Sequence, residues 1–492
     1  MPQSAHRSGR RPMASPRPFP RRPNLRRPVL AAAILILGAA GPRPFAVAPA
    51  RATPPADPPA SPSRALTASL EDPRLRSLVE EALERHPALE AEGARAEALR
   101  HVAPRVRSLP DPTVSLTAFP LPPETRVGPQ RGSLGVQQRL PSRSRLALTG
   151  QRAELAAAAA DARLEALRVD IVTRARVLWY ELGFLAEQRR LLVEERGHLG
   201  RHEEVARARY AAGSGLAQGA IKIQAELTRI DTRLLDLDAR RALLGADLDA
   251  LRDRFDVEGP EPGGLPEDGW VASFDPTGLD PQTLVELALR RRPEMDAARS
   301  ERRATGSGVE LAQSARRPDW SVGLTWTAVE GRDDPAGRAS PTRDDGDDIL
   351  AITGSMSLPI RRRPRLAQLE EALARERAAA GDERRIAADI RRQVHDLAAR
   401  LPLEHRQWSL LQGVLDRQAE EAVQSAVAAY ATGSLGALDL LDAEHRLFEV
   451  RTATARAKAD IAIAVARLEG ALASPLVPPN EGIPSAEEHR HE

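Results

Sequence analysis

Apolar residues recur at intervals of three and four along four unusually long segments of the chain. The approximate bounds of these segments are residues 142–210, 216–254, 364–430 and 436–473. In the second segment, Leu227, Ile230 and Leu234 begin a series that continues to Leu251. Because this spacing puts the apolar side chains on one face of an α-helix, the pattern predicts two antiparallel coiled-coil hairpins. At ~1.5 Å per residue, the longest helix spans roughly 100 Å.

Four shorter segments alternate apolar and polar residues instead, which is typical of β-strands with two different faces. Their approximate bounds are residues 112–119, 132–140, 319–330 and 348–359. Val322, Leu324 and Trp326 fall on one face of the third strand, and small or polar residues alternate with them. Such strands suit either the wall of a membrane β-barrel or soluble hairpins that pack on a helix. Four strands are too few to close a wide barrel, so a barrel requires several subunits.

The elements are arranged as two copies of one unit. The sequence LVEEALERHP at residues 78–87 is echoed by LVELALRRRP at 284–293, and YAAGS at 210–214 is echoed by YATGS at 430–434. Similarity at so long a period indicates an internal duplication. The duplication divides the chain into three segments: a first repeat over residues 66–255, a linker over 256–281 and a second repeat over 282–474.

The N-terminal residues have the features of an export signal. Arginines crowd the first 27 residues, an apolar run extends from Val29 to Ala40, and small-residue cleavage sites follow it. We therefore expect a signal peptide over residues 1–52, a Pro-rich disordered leader over 53–65 and a disordered tail over 475–492. An uncleaved membrane anchor is the alternative interpretation, although an anchor needs about 20 apolar residues.

The composition limits the function classes that need consideration. The chain has no cysteine, which excludes disulfides and a lipid anchor on a cysteine, and its net charge of +2 at pH 7 does not imply nucleic-acid binding. No catalytic or nucleotide-binding motif is present, so we expect no enzyme activity and no cofactor. His489 and His491 lie in a polar tail, where two histidines are more typical of an unstructured segment than of a metal site. No metal site is assigned.

Short motifs at the ends of the predicted strands resemble those of the TolC-type outer-membrane factors. They occur in the same order in both repeats: Pro-Asp before the first strand (110–112 and 318–319), Leu-Pro after the second strand (140–141 and 358–359), and Tyr-x-x-Gly-Ser at the hairpin tips. The resemblance extends over nearly all of the chain between Leu78 and Leu472. It implies a mainly α fold with a β-barrel part, in which three subunits close a twelve-stranded barrel and form a periplasmic α-tunnel.

The same resemblance implies a function and a set of partners. Such a protein is the outer-membrane channel of a tripartite efflux or type I secretion system. It is a homotrimer, contacts outer-membrane lipid and extends into the periplasm. It conducts substrates passively. The substrates are delivered by an inner-membrane pump of the RND or ABC type and by a periplasmic adaptor. The Pro-Asp-Pro strand entry and the Pro-rich loop after it are similar to the heavy-metal branch of the family, which favours metal cations as substrates.

Two groups of residues near the hairpin tips match functional positions of that family. Asp439 and Asp442 match a carboxylate pair that forms an acidic constriction at the periplasmic entrance, and Lys222 stands in the first repeat as a candidate neighbour. The positions that match adaptor-contacting residues are Tyr210, Gly213, Ser214, Tyr430, Gly433 and Ser434. Judged from the residues alone, Asp439 and Asp442 are more commonly interpreted as two ordinary solvated acids on a helix surface. Leu435 occupies the position at which some relatives carry an arginine that locks the entrance.

Two other classes of protein remain as alternatives. The first is a soluble periplasmic coiled-coil scaffold or the adaptor of the same kind of pump, which also has a long helical hairpin. An adaptor has one such hairpin, whereas two hairpins and two strand pairs are predicted here. The second is an exported enzyme with a helical domain, which would need a convergent polar cluster that the sequence does not indicate.

Overall fold

The computed structural model describes residues 61–213, 217–254, 265–332 and 334–476. The predicted signal peptide, the leader up to residue 60, Ser214, part of the linker and the tail beyond residue 476 lie outside these ranges. Statements about the structure below refer to the described residues.

The described residues form four strands and helices of very different lengths. The first half of the chain contains α1 (Pro62–Ala68), α2 (Pro73–Arg85), α3 (Pro87–Arg100), α4 (Val102–Arg107), β1 (Thr113–Ala118), β2 (Gln130–Leu140), α5 (Arg143–Ala211) and α6 (Ala217–Leu251). The second half contains α7 (Asp268–Ser273), a 3-10 turn (Pro276–Gly278), α8 (Pro281–Arg291), α9 (Pro293–Ser314), β3 (Trp320–Val329), α10 (Pro335–Ala339), β4 (Ile349–Met356), α11 (Arg362–Leu410), a π-helical stretch (Leu411–Leu415), α12 (Asp416–Ala431) and α13 (Ala437–Leu472). The predicted fold class, mainly α with four strands and long helices, is confirmed.

The longest helix of each half is built differently. Helix α5 runs without interruption for 69 residues, whereas its counterpart is divided into α11, the π-helical stretch and α12, which have 49, 5 and 16 residues. Pro402 lies inside α11 and has no backbone N–H to donate. A π-helical stretch widens the hydrogen-bonded turn locally and is often found where a helix has a functional role.

Two segments outside the predicted repeats contain helical residues. Helix α1 begins within the predicted disordered leader, because the buried Leu66 packs into the core and Glu165 accepts a 2.9 Å hydrogen bond from the Ser63 amide. Helix α7 lies within the predicted linker, because Val271 is fully buried against the second half of the chain. The prediction of disorder is therefore wrong for residues 61–65 of the leader, because Leu66 anchors a segment whose composition otherwise favours disorder.

Local signals explain where the elements begin. His86 ends α2 and caps α3, since Pro87 cannot continue the α2 hydrogen-bond ladder but is well placed in the first turn of a new helix. Ser142 caps α5 by accepting a hydrogen bond from the Arg145 amide. The Arg145 side chain then forms a 2.5 Å ion pair with Asp319, the aspartate of the second Pro-Asp motif. That motif therefore ties the start of α5 to the start of β3.

The four strands form one antiparallel sheet in the order β1-β2-β3-β4. Its register places apolar residues in rows across the sheet: Val114, Val136, Leu324 and Ile352 form one row, and Leu116, Leu134, Trp326 and Leu350 form the next. Ser, Thr, Gly and Ala dominate the intervening rows, such as Ser115, Gly135, Thr325 and Ala351. The sheet therefore has one apolar face and one face of small, mostly polar residues.

The hydrophobic core follows the seams between long helices. One cluster joins α2, α5 and α6 through residues such as Val79, Ile171 and Leu248. A second joins α8, α11 and α13, with Val394 and Ile461 among its members. A third continues along α5 and α6 toward their connecting turn. None of the described helices combines the length and apolarity needed to cross a membrane.

Helices α5 and α13 approach each other closely at Gly470. A Cβ atom built on Gly470 would lie 2.2 Å from Thr173 Oγ1, far inside contact distance. Nearby, Arg176 and Glu469 form a buried 2.6 Å ion pair between the same two helices. A glycine is thus required for the close packing that also buries these charges.

Replacement of Gly470 tests this packing. We expect Gly470→Ala to lower the free energy of unfolding by about 1–3 kcal/mol, because the added methyl group overpacks the seam. Thermal unfolding followed by far-ultraviolet circular dichroism measures the change. Gly381→Ala is the matched control: its Cβ would meet nothing within 4 Å, so the better helix propensity of Ala should raise stability by about 0.5–1 kcal/mol. Equal melting temperatures of the two variants would contradict the packing argument.

Candidate functional site

Each long hairpin reverses direction at a glycine with left-handed backbone. Gly213 has a φ of 70° and Gly433 has a φ of 77°. Their amides donate hydrogen bonds to the carbonyl oxygens of Tyr210 and Tyr430, respectively. Because other L-residues rarely adopt this backbone, both glycines have a structural role at the tips. Ser434 closes the second turn by donating to the Ala429 carbonyl, while Ser214 lies outside the described residues.

The two tip tyrosines are in different environments. Tyr210 is 57% exposed, whereas Tyr430 is 9% exposed and packs with Ala426 and Leu440. The Arg209 guanidinium lies 4.2 Å from the centre of the Tyr430 ring and donates a 3.2 Å hydrogen bond to the Tyr430 carbonyl. Arg209 thus joins the tip of the first hairpin to the second, a contact that local sequence patterns did not indicate.

The proposed entrance residues are solvent-exposed. Asp439 and Asp442 are on the first turns of α13, and Lys222 is near the start of α6. A Cβ on Gly219 would lie 3.9 Å from the Ala437 Cβ, so the beginnings of α6 and α13 are adjacent. Lys222 nevertheless forms no ion pair with either aspartate among the described residues of this single chain. The constriction therefore stays a prediction.

Behind the tips, Glu444 of α13 is buried between two histidines of α5. Glu444 Oε1 lies 2.9 Å from His202 Nε2 and 3.4 Å from His198 Nδ1. Burial alone would raise the pKa of Glu444, but the hydrogen bonds and charges of the two imidazoles outweigh it and lower the pKa. The His198 ring also meets Phe448 edge to face, with ring centroids 5.6 Å apart.

A reciprocal contact lies beside this group. Glu195 of α5 is buried, and its Oε1 lies 3.1 Å from Nδ1 of His445, which belongs to α13. The other ring nitrogen of His445 lies 3.1 Å from Glu449. Burial raises the pKa of Glu195, although the hydrogen bond from His445 opposes the shift. Each helix therefore buries one glutamate against histidine from the other helix.

Arginines connect the hairpins further from the tips. Arg451 of α13 lies 2.5 Å from Glu420 of α12 and 3.8 Å from Glu194 of α5. Arg456 pairs with Glu181 of α5 at 2.7 Å. The seam between the two hairpins is thus rich in charged contacts along its tip-ward part. The sequence offered one usable signal, since His198 and His202 are four residues apart and share a helix face.

Within the described part of the chain, no set of three His, Asp or Glu side chains is arranged to hold a metal ion. His489 and His491 of the tail lie outside it. The histidines and glutamates behind the tips act on one another, as hydrogen-bonded partners across the seam.

The second half of the chain is similar to a known protein family. Residues 284–474 match the model of the outer membrane efflux protein family. No curated protein sequence matches the chain.

Solved structures share the fold. A membrane protein from Pseudomonas aeruginosa is 20% identical, with a TM-score of 0.69 over 82% of this chain and 93% of that chain. The outer membrane protein VceC from Vibrio cholerae is 20% identical, with a TM-score of 0.66 over 82% and 96% of the respective chains. The open state of the MtrE outer membrane channel from Neisseria gonorrhoeae is 21% identical, with a TM-score of 0.62 over 82% and 89%. At such identities the likeness shows the fold.

The contact of Arg209 with Tyr430 gives a prediction for the tips. Arg209→Gln removes the charge over the ring, worth about 0.5–1 kcal/mol at a partly exposed site. We expect hydrogen exchange of the backbone amides around Tyr430 to become roughly 2–5-fold faster. Mass spectrometry of peptides from α12 measures the rate. Arg207→Gln serves as the control, because Arg207 pairs with Glu203 on its own helix. The same exchange rates in both variants would show that Arg209 does not hold the hairpins together.

Proposed function

Because residues 284–474 are an outer membrane efflux protein domain, we propose that the chain is the outer-membrane channel of a tripartite efflux system. Substrates leave through it passively, after delivery by an inner-membrane pump and a periplasmic adaptor. This role is conduction, and it requires no catalytic step and no cofactor.

The observation that carries the proposal is the exposed apolar face of the sheet. Leu116 and Ile352 are each 81% exposed, and Val114 and Leu350 are each 64% exposed. These side chains belong to the two apolar rows that cross the sheet. A soluble protein rarely leaves such a continuous apolar face uncovered. Outer-membrane strands have this arrangement, with apolar residues toward lipid and polar residues toward a wet lumen.

The edges of the sheet support assembly from several copies. Strands β1 and β4 each pair on one side only, which leaves a row of backbone donors and acceptors on the other side. Hydrocarbon offers no partners for these groups, so closure with neighbouring subunits is required. A homotrimer, as the resemblance implies, supplies twelve strands and removes every edge.

The helical hairpins would then extend into the periplasm, with their tips at the entrance. Three-fold repetition would collect the exposed Asp439 and Asp442 of each subunit around one axis. A ring of carboxylates attracts cations and repels anions. We also propose the described tip residues Tyr210, Gly213, Tyr430, Gly433 and Ser434 as contacts of the adaptor, since they lie at the ends of the hairpins, where all of them except the buried Tyr430 are exposed.

Charge on the apolar face tests the membrane location. We expect Ile352→Lys to reduce recovery of the protein from the outer-membrane fraction, because a lysine facing lipid costs about 2–4 kcal/mol near the bilayer midplane. Thr353→Lys places the same charge on the opposite face of the same strand and should be recovered like the wild type. Unheated gel migration should show the wild type at about three times the subunit mass. A soluble monomer would instead favour a periplasmic scaffold.

Neutralising the acids tests the entrance. Asp439→Asn combined with Asp442→Asn is expected to lower the cation-to-anion permeability ratio of channels in planar lipid bilayers, because the ring loses its fixed charge. Reversal potentials in a salt gradient measure the ratio. Glu421→Gln is the control, since this exposed acid lies on α12 away from the first turns of α13. An unchanged ratio in the double variant would place the selective charges elsewhere.

A further inference from the structure

Arginines are concentrated where the four strands meet the helices, which we call the helix end of the sheet. Four stretches contain the strand ends and flanking residues there: residues 104–112, 139–145, 315–319 and 357–365. Together they contain eleven arginines, two aspartates and no lysine or glutamate. The connections at the opposite end, residues 119–129 and 330–348, contain eight acids and four arginines. The sheet therefore has a large excess of positive charge at one end only.

Contacts between these stretches bring their arginines together. Arg365 Nε donates a 3.0 Å hydrogen bond to the Ala315 carbonyl, so the beginning of α11 lies beside the segment that joins α9 to β3. The Ser357 amide donates a 2.9 Å hydrogen bond to the Asp319 carbonyl of that segment. The residues before β3 and those after β4 thus form one surface.

Five arginines of this surface are exposed and have no acidic partner among the described residues. We call them the arginine cluster, and they are Arg316, Arg317, Arg361, Arg362 and Arg363. Of the eleven arginines at the helix end, only Arg107 and Arg145 form ion pairs with described residues. At the opposite end, Arg126 and Arg332 both pair with aspartates. The charge of the cluster is therefore not compensated within the described part of the subunit.

Assembly with further copies does not compensate this charge. A copy that pairs with the free edge of β1 or β4 brings its own strand ends to the same level as those of the first copy. These ends have the same composition, with many more arginines than aspartates. Like charges repel, so each added copy increases the positive potential at the helix end. A partner of the cluster has to be an anion from outside the assembly.

Exposed apolar side chains lie directly beside the cluster. Leu140, Trp320 and Met356 form the last apolar row of the sheet at the helix end, and Trp320 is 55% exposed. Ile360, which precedes Arg361, is 80% exposed. Tryptophan is enriched where a membrane meets water, and arginine beside apolar surface extends its charged group toward the headgroups. An ordinary solvated charged surface has no such apolar border.

The length of β3 places the cluster at the level of the lipid headgroups. Strand β3 has 10 residues, from Trp320 to Val329. At ~3.3 Å per residue and a tilt of about 40°, such a strand covers ~25 Å of depth, the height of the apolar band of outer-membrane strands. The residues just before Trp320 therefore leave the hydrocarbon and enter the headgroup layer.

The chemistry of the cluster selects phosphate as its ligand. The guanidinium group is planar, presents paired N–H donors that match phosphate oxygens, and is weakly hydrated. Phospholipids supply phosphates in a layer at a fixed depth, as the arrangement of the cluster along the edge of the apolar face requires. Lipids with a net negative charge gain most from the uncompensated arginines.

We propose that the arginine cluster binds the headgroup phosphates of anionic phospholipids in the periplasmic leaflet of the outer membrane and so fixes the depth of the sheet in the bilayer. The proposal rests on the proposed channel function, which puts the apolar face of the sheet in the membrane and the helices in the periplasm. It assigns a lipid-binding role to arginines that take no part in conduction.

Association of spin-labelled lipids tests the binding. The full chain is reconstituted in phosphatidylcholine vesicles that contain a trace of spin-labelled phosphatidylglycerol or phosphatidylcholine. Electron paramagnetic resonance measures the fraction of each label that the protein immobilises. We expect the wild type to prefer phosphatidylglycerol by roughly 5-fold, which is the contribution of about one arginine near an anionic surface. Equal association of both lipids with the wild type would overturn the proposal.

Substitutions in α11 locate the binding. Arg361→Gln, Arg362→Gln and Arg363→Gln combined should lower the preference to less than about 2-fold, because three of the five charges are lost. Lysine at the same three positions should retain most of the preference, since lysine keeps the charge. Circular dichroism and unheated gel migration verify that each variant is folded and assembled. An unchanged preference in the glutamine variant would contradict the assignment.

A second triple variant on the same helix is the matched control. Arg384→Gln, Arg391→Gln and Arg392→Gln remove the same charge further along α11 from the sheet. These arginines are exposed and form no ion pair with described residues. We expect the wild-type preference in this variant. An equal loss of preference in both triple variants would show that net charge alone acts, and would overturn a local binding surface.

Inorganic phosphate distinguishes a lipid surface from a site for the free ion. Millimolar phosphate, compared with chloride at equal ionic strength, should leave the preference for phosphatidylglycerol unchanged, since a bilayer presents many headgroups at once. Loss of the preference in phosphate alone would show that the arginines bind the free ion, and would overturn the proposal.

Conductance in planar bilayers separates this inference from the proposed function. Conducting channels without a headgroup preference would overturn the lipid surface alone. A chain that prefers anionic lipid through the cluster but forms no channel would overturn the proposed function and leave the lipid surface supported. A chain that stays outside the bilayer would overturn both.

Discussion

The close contact between α5 and the C-terminal half of α13 is the constraint on which the rest of the structure depends. From about Ala455 to Leu472, α13 is buried on nearly every side, by α5 on one flank and by α8 and α11 on another. Residues 461–466 of this stretch are all apolar and buried, as expected of a helix segment in an interior, and its many alanines let its neighbours approach closely. Gly470 and the buried Arg176–Glu469 pair fix the position of α5 on this helix. This helix therefore helps to anchor the first half of the chain to the second, together with α9, which also packs along α5.

The halves also join in the sheet, where the strands show what local patterns can and cannot predict. Alternation in Val322, Leu324 and Trp326 predicted the strand and its two faces correctly, because side chains alternate with a period of two. The pairing of β2 with β3 was not predictable in the same way. It connects residues such as Leu140 and Trp320, which are far apart in the chain, and depends on where the long helices place the strands.

The candidate site was predictable to a similar extent. The tip glycines follow from the Tyr-x-x-Gly motif, since a reversal with positive φ requires glycine. The spacing of His198 and His202 is a signal in the sequence, but their glutamate partner and the contact of Arg209 could not be predicted, because these residues occupy the polar positions of amphipathic helices. Such positions are usually solvated, and their partners depend on the rotation of α5 relative to α13. Contacts between side chains of two helices depend on tertiary packing, and the apolar periodicity of each helix does not determine how the helices pack.

Apolar packing and charged contacts occur in different parts of the hairpins, which therefore differ in how easily their contacts are displaced. Around the C-terminal half of α13, the contact with α5 consists mainly of packed apolar side chains, together with the Arg176–Glu469 and Arg456–Glu181 ion pairs. Burial of the apolar side chains does not change with pH or salt in the physiological range. Toward the tips, charged and titratable contacts such as Arg451–Glu420 and His202–Glu444 take over. Apolar packing of this density tolerates little displacement, whereas ion pairs can be exchanged for water at modest cost. The contact between α5 and α13 is thus packed more tightly around Gly470 than it is toward the tips.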